Sequence, residues 1–240
     1  MKILITNDDS ISAKQLLPLI KYCKKFGEVT TVVPKFEQSG KSHGIELHCP
    51  FAVDTVELEE GITAYAVDST PADCVRFALH GLNEKYDLIV SGINRGYNMG
   101  TDVMYSGTVA AAREGAYHNI ISIAVSTCPE YYENAIEHLD SVVQFVVSRD
   151  LLSVHRAYNI NIPPQPKGIK ITKQGRTYYT DRFEKCEDGK YALKGECLYQ
   201  PTGDLSLDTD AVVSGYISIM PLSINMTDLS AYDKLTKCPF

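Results

Sequence analysis

The sequence predicts an α/β protein: a doubly wound, mostly parallel, Rossmann-like sheet with a β excursion toward its C-terminal end. Short apolar, β-branched runs recur at Ile3–Ile5, Val29–Val33, Leu88–Val90 and Ile121–Val125. Each is too short for a helix and each ends in polar or turn residues, the mark of a buried strand. Between several of them lie segments with apolar residues at helical spacing, and strands alternating with helices imply a parallel sheet covered on both faces. The strand ends share a character as well: polar loops follow at Asn7–Ser10, Lys35–Gly44 and Gly92–Gly100. In an open parallel sheet those ends lie along one edge, where ligands bind.

Taken in order, the first strand stops abruptly at Asp8 and Asp9. Gln15–Phe26 then places Leu16, Leu17, Ile20 and Cys23 on one helical face, and Gly27 is the stop signal. Val29–Val33 is the second strand, ended by Pro34, and Ile45–Val67 alternates irregularly enough to predict one or two peripheral strands. Thr70-Pro71-Ala72-Asp73 reads as a helix start, with a hydroxyl cap, Pro in the first turn and an early acid, leading into Cys74–Leu82. Asp87–Ser91 is the third buried strand, with a glycine-rich loop beginning at Gly92. Ser106-Gly107-Thr108 opens the helix Val109–Tyr117, and Ile121–Val125 is a further strand. Glu133–Arg149 predicts one long amphipathic helix, and Tyr158–Ile162 a short strand closed by Pro163-Pro164. Beyond it Lys170–Lys185 is polar and rich in β-formers, and Cys186–Lys190 carries the Asp-Gly hairpin signal. Val212–Met220 predicts a returning strand and Leu229–Lys237 a terminal helix.

A chain of 240 residues is long enough for a substantial core, and the expectation is one α/β domain over 1–240 with 170–210 as its excursion. The formal charge of −7 argues against a nucleic-acid polymer as partner, because duplex binding rests on neutralising many phosphates with Lys and Arg. No apolar stretch approaches the roughly 18 residues of a membrane span, and the N-terminus runs straight into a strand without a signal-like segment, so the expected address is the cytoplasm. The seven cysteines are odd in number and form no CxxC pair, which suits reduced structural thiols, and the six histidines show no HExxH spacing.

At the end of the first strand, two adjacent like charges repel unless a divalent cation offsets them, although an Asn-Asp-Asp-Ser turn capping the next helix is an equally physical reading. The other loops bear on the choice. Ser39 from the second loop and Asn94 and Asn98 from the third add hydroxyl and amide oxygens, a donor set that selects Mg, Mn or Ca over zinc or copper. Ser106-Gly107-Thr108 at a helix start offers backbone N–H groups and the positive end of a dipole to an anionic oxygen group. A cation beside an anion cradle points to phosphate chemistry. His43 follows Ser39-Gly40 and is placed either to contact phosphate or to serve structure alone. The Gly92–Gly100 loop lacks the G-x-G-x-x-G spacing of a dinucleotide fingerprint.

Thr6-Asn7-Asp8-Asp9, Gln38-Ser39-Gly40 with His43, Thr70-Pro71-Ala72-Asp73-Cys74-Val75, Ser91–Gly96 with Asn98, and Tyr105-Ser106-Gly107-Thr108-Val109-Ala110-Ala111 together resemble the stationary-phase survival protein SurE family. The resemblance continues through Asn159–Pro163, Lys173–Arg176 and Gly215–Ile219. It implies a phosphatase that uses one divalent metal ion (Mg, Mn or Ca) and acts on nucleoside 5′- and 3′-monophosphates, and in some members on short polyphosphate. It places metal ligands on Asp8, Asp9, Ser39 and Asn94; the residues themselves put catalysis on Asp8 and Asp9 and phosphate contacts on Gly40, His43, Asn98, Ser106, Gly107 and Thr108. It also implies a homodimer or homotetramer built partly through C-terminal segments. Ser10 stands where the family usually has Gly, Lys14-Gln15 where it often has Pro-Gly, and Ser69 where it has Gly. None of these removes an implied ligand. A nucleotide sensor that binds without turnover is the alternative on the same fold.

Overall fold

The computed structural model describes residues 1–238. Its centre is a nine-stranded sheet, and the chain begins with β1 (Lys2–Thr6), α1 (Leu16–Cys23), β2 (Glu28–Pro34), β3 (Val53–Glu59) and β4 (Ile62–Val67). Then come α2 (Pro71–Arg76), β5 (Leu88–Arg95), α3 (Gly107–Tyr117) and β6 (Ile121–Thr127), followed by α4 (Leu139–Ser148), α5 (Leu151–Val154) and β7 (Ala157–Ile162). The chain continues through β8 (Ile169–Ile171), the hairpin β9 (Arg182–Lys185) and β10 (Tyr191–Lys194), α6 (Asp208–Val213), β11 (Ile217–Pro221) and α7 (Leu229–Leu235).

Strand order across the sheet is β3-β4-β2-β1-β5-β6-β7-β11-β8. From β4 to β7 every pairing is parallel, β3 is antiparallel to β4, and β11 runs antiparallel to β7. The central strand β1 has β2 on one side and β5 on the other, so the winding reverses there. That reversal opens a crevice beyond the carboxyl ends of β1 and β5.

The two faces of the sheet bury different apolar sets. On one, Ile3, Ile5 and Val90 pack with Leu16, Leu19 and Ile20 of α1 and Leu139, Val142 and Val146 of α4. On the other, Leu4, Val32 and Ile89 pack with Cys74 and Val75 of α2 and Ala111 of α3. Successive residues of β1 thus point to opposite faces and both are covered, which is why the strand is a continuous apolar run rather than an alternating one.

Three elements depart from the sequence reading. Residues 92–95 extend β5 instead of opening its loop: Asn94 and Arg95 pair with Ser126 and Thr127 after a register shift, and the backbone of Gly92 at φ +140 supplies the irregularity. The long helix begins as a 3-10 segment, Pro129–His138, before α4. Its buried residues Tyr132 and Ala135 are three apart, the repeat of a 3-10 turn, whereas Leu139, Val142 and Val146 follow the α repeat. The returning strand is shorter than expected, because residues 208–213 form α6, with Asp208 and Asp210 in the first turn and Gly215 at φ +85 ending it.

Candidate active site

The strand ends meet as expected. One cleft of about 530 Å³ is lined by Asp8, Asp9, Glu37, Ser39, Gly40, Asn94, Arg95, Asn98, Asp102, Tyr105, Ser106 and Pro129. All four residues singled out as cation ligands are therefore in one place, delivered by the ends of β1, β2 and β5.

Asp8 is the most constrained of them, with only 5% of its surface exposed. Its carboxylate faces the N-terminus of α3: the Thr108 hydroxyl donates to Oδ1, and the Thr108 N–H donates to Oδ2 at 3.3 Å. Gly107 makes this approach feasible, since a Cβ there would lie 2.9 Å from Cγ of Pro71 and 3.1 Å from Cβ of Asp8. Burial pushes the Asp8 carboxyl up to about 6, and the neighbouring charge of Asp9 adds to the rise, against the lowering effect of the Thr108 hydrogen bonds. Asp9 is raised too, chiefly by burial and further by Glu37, while the Arg95 N–H, which donates to Oδ2 at 2.9 Å, and the Arg95 charge oppose this.

The neutral donors are oriented by local contacts. Asn94 Nδ2 donates to the Gly96 carbonyl at 2.7 Å, so the amide oxygen is the end left over for a ligand. Ser39 Oγ–H donates to Glu37 Oε1 at 2.6 Å, which leaves the hydroxyl lone pairs available. Among the described residues no three His, Cys, Asp or Glu side chains converge to hold a metal. A cation here would lean on two carboxylates and two neutral oxygens, hard donors that fit Mg, Mn or Ca. Two adjacent carboxylates, one of them buried and both raised, are a concentration of negative charge that such an ion would offset. The residues fit the group.

The phosphate-side residues divide. Gly40, Asn98 and Ser106 line the cleft. Ser106 is also the N-cap of α3, its Oγ accepting from the Val109 N–H at 3.1 Å, so its hydroxyl proton remains free to donate. Gly107 backs against Asp8 rather than lining the cleft. Thr108 is fully buried and its hydroxyl is spent on Asp8 rather than turned to the cleft. His43 turns away from the cleft: its Nε2 lies 2.8 Å from Glu114 Oε2, in a cluster with Arg76 and His118. The structural alternative for His43 is the one the geometry supports.

Glu37 and Asp102 line the cleft without having been singled out from the sequence. Glu37 lies two residues before Ser39, and a carboxylate beside a proposed ligand hydroxyl was the available signal. Asp102 had none: its place is set by the excursion, where Thr177 and Tyr179 hydroxyls donate to it at 3.0 and 2.6 Å. A second chamber of about 470 Å³ adjoins the cleft, sharing Asp9, Glu37, Arg95 and Pro129 with it and walled further by Lys14, Glu130, Glu133 and Asn134.

Comparison with known proteins agrees with this arrangement. The family model described as Survival protein SurE matches residues 3–181. A protein of Thermosipho melanesiensis named 5′-nucleotidase SurE is 40% identical, the alignment covering 95% of this chain and 93% of that protein. One of Trichormus variabilis with the same name is 40% identical over 100% of this chain and 99% of its own length. The crystal structure of the SurE protein from Aquifex aeolicus superposes with a TM-score of 0.79 at 29% identity, covering 98% of both chains. A full-length match in sequence and in fold, with the acidic strand end and its partner loops gathered at the sheet's switch point, establishes that this chain belongs to the SurE family.

Proposed function

We propose that this protein is a metal-dependent phosphomonoesterase that hydrolyses nucleoside 5′- and 3′-monophosphates, and short polyphosphate as well, to release phosphate. The observation that carries the reading is the convergence of Asp8, Asp9, Ser39 and Asn94 on one cleft beside the N-terminus of α3. The relatives named 5′-nucleotidase supply the substrate class. Asp8, Asp9, Ser39 and Asn94 hold one divalent cation, Mg, Mn or Ca. When bound, that cation supplies Lewis acidity toward a phosphoryl oxygen and makes water more acidic.

The chain's own residues do the rest. The Ser106 hydroxyl and Asn98 orient the phosphate against the cleft wall, and Gly40 leaves room for it. Asp8, fixed by Thr108, accepts the proton of the attacking water or aligns it for in-line attack. Attack by the Asp8 carboxylate itself ranks second, because both of its oxygens already accept hydrogen bonds from Thr108. The adjoining chamber gives the nucleoside a place beyond the scissile bond. Phosphate release from a nucleoside monophosphate, measured with Mg or Mn and then with chelator, tests this directly. Release that requires the cation is expected. Nucleotide binding without release under every metal condition would instead identify a sensor.

Assembly belongs to the same proposal: the chain is one α/β unit whose excursion joins copies into a homodimer or homotetramer. The hairpin β9–β10 forms its own two-stranded sheet and has no buried residue, with Phe183 72% and Leu193 58% exposed. A lone two-stranded hairpin is marginal in water. α7 likewise buries nothing and presents Leu229, Tyr232 and Leu235 to solvent. Among the described residues no helix is long and apolar enough to cross a membrane. Light scattering is expected to give at least twice the mass of one chain, and a lower mass once residues 182–194 are replaced by a short linker. A monodisperse monomer for the intact protein at micromolar concentration would refute the assembly.

A further inference from the structure

Asn159 and Asn161 lie on β7, an interior strand between β6 and β11, with none of their surface exposed. Asn is a poor strand residue, and a buried amide is costly unless its hydrogen bonds are made. Both side chains lie on the same face of β7, two residues apart; Asn161 is flanked in register by Ser126 of β6 and Ser218 of β11, also fully buried, and Asn159 by Ala124 and Met220. Two carboxamides buried this deeply on one strand call for a reason.

The reason lies in the loop after β5. The peptide groups of Asn98 are paired not with other backbone but with these side chains. The Asn98 N–H donates to Asn161 Oδ1 at 2.9 Å, and Asn161 Nδ2 donates back to the Asn98 carbonyl at 2.9 Å. One carboxamide thus grips both polar groups of one residue, a two-point contact that fixes orientation as well as position. Asn159 Nδ2 donates to the same carbonyl at 2.7 Å, and the Asn98 side chain donates to Ser126 Oγ at 2.8 Å. Two residues on, Gly100 is held in the same way, its N–H by Asp208 and its carbonyl by Gln174, each at 2.9 Å.

We propose that Asn161, assisted by Asn159, is a positioning residue for the reaction: it clamps the Asn98 peptide so that the Asn98 side chain stays at the phosphate side of the cleft. The inference rests on the reading of Asn98 as a phosphate contact and deepens it. Asn161 itself does not line the cleft. A clamp of this kind acts on phosphate affinity and on the geometry of attack and leaves the cation ligands alone, since Asp8, Asp9, Ser39 and Asn94 are held by other partners.

The test is a double-mutant cycle on the full chain with Asn98→Ala, Asn161→Asp and the pair. A carboxylate at 161 still accepts from the Asn98 N–H but cannot donate to its carbonyl, so half the clamp is lost. The milder Asn159→Ala removes one donor to that carbonyl and keeps the Asn161 grip, which covers the case in which Asn161→Asp does not fold. Three quantities are read: phosphate affinity by calorimetry, KM and kcat for a nucleoside monophosphate, and the cation concentration for half-maximal effect. Asn161→Asp is expected to weaken phosphate binding and kcat/KM by about 10- to 100-fold, with half-saturating cation within about twofold of the parent. Asn159→Ala follows in the same direction by a smaller factor. In the Asn98→Ala background, Asn161→Asp adds little, because the group it positions is gone. Full additivity, or parallel loss of cation and phosphate affinity, would overturn the clamp. Asn98→Ala with unchanged phosphate affinity would overturn both the clamp and the contact it serves. Absence of turnover with coupled loss of phosphate binding would remove the hydrolytic reading and leave the clamp standing.

Discussion

Asp8→Asn is expected to lower kcat/KM for a nucleoside monophosphate by about 10³-fold or more, through loss of one cation ligand and of the group that handles the water's proton, terms worth roughly 10²–10³ and 10²–10⁴ when removed singly. The fold is expected to survive. Asn is the same size, retains an acceptor for Thr108, and removes one of two neighbouring carboxylates in a largely buried turn. The variant therefore melts within a few degrees of the parent in chelator. Cation binding separates this outcome from simple damage: ligand at 100 times Kd stabilises a folded protein by about 2.7 kcal/mol, so the parent gains a clear shift in Tm on adding Mg or Mn and the variant gains little. Asp9→Asn, at the more exposed carboxylate, is expected to raise the cation requirement with a smaller loss of kcat. A variant at position 8 that keeps full activity, or that keeps the cation-dependent shift, would remove Asp8 from the site.

Much of this was legible in the chain because the strongest signals were local. An apolar run ending in Asp8-Asp9 says both that a strand is buried and where it stops, and the N-cap at Thr70 appears in the structure with its hydroxyl accepting from the Asp73 N–H as its sequence implies. The peripheral strands between Ile45 and Val67 and the hairpin around Asp188-Gly189 were readable for the same reason. What escaped depended on tertiary partners. Gly92-Ile93-Asn94-Arg95 has turn composition, yet β6 lies alongside and draws it into the sheet. Residues 129–138 carry a helical pattern whose tighter winding shows only in the three-residue spacing of Tyr132 and Ala135. In the cleft, the residue types pointed to the oxygen donors that gather there, whereas the direction in which Thr108 and His43 point was settled by groups distant in sequence, Asp8 for one and Glu114 for the other.

That last contact leads to the second large effect. Glu114 is 8% exposed on α3 and accepts from Arg76 Nη1 at 3.0 Å, with His43 Nε2 at 2.8 Å and His118 Nε2 at 3.3 Å. It joins α2, α3 and the loop that carries Ser39 and Gly40 to the cleft. Burial alone would raise this carboxyl from its ordinary 4.5, but the hydrogen bonds from His43 and Arg76, together with their charges, overturn that and hold it at about 2. A folded value below the unfolded one means that ionised Glu114 stabilises the fold, by about 3 kcal/mol for a shift of this size. The contribution is complete above the unfolded value near 4.5 and fades as the pH falls toward 2. Glu114→Gln is therefore expected to cost about 3 kcal/mol at neutral pH, which for a chain of this size lowers Tm by roughly 6–12 °C. The gap between parent and variant should be present at about pH 5 and shrink as the pH falls below about 4.5. His43→Ala, which takes one partner from the same carboxylate, should lower Tm by less, while loosening the Ser39 loop enough to raise the cation concentration needed for half-maximal activity. Thermal melts of the parent and both variants across this pH range check the assignment, and a gap that widens as the pH falls would show that the charge of Glu114 is not what holds the cluster together.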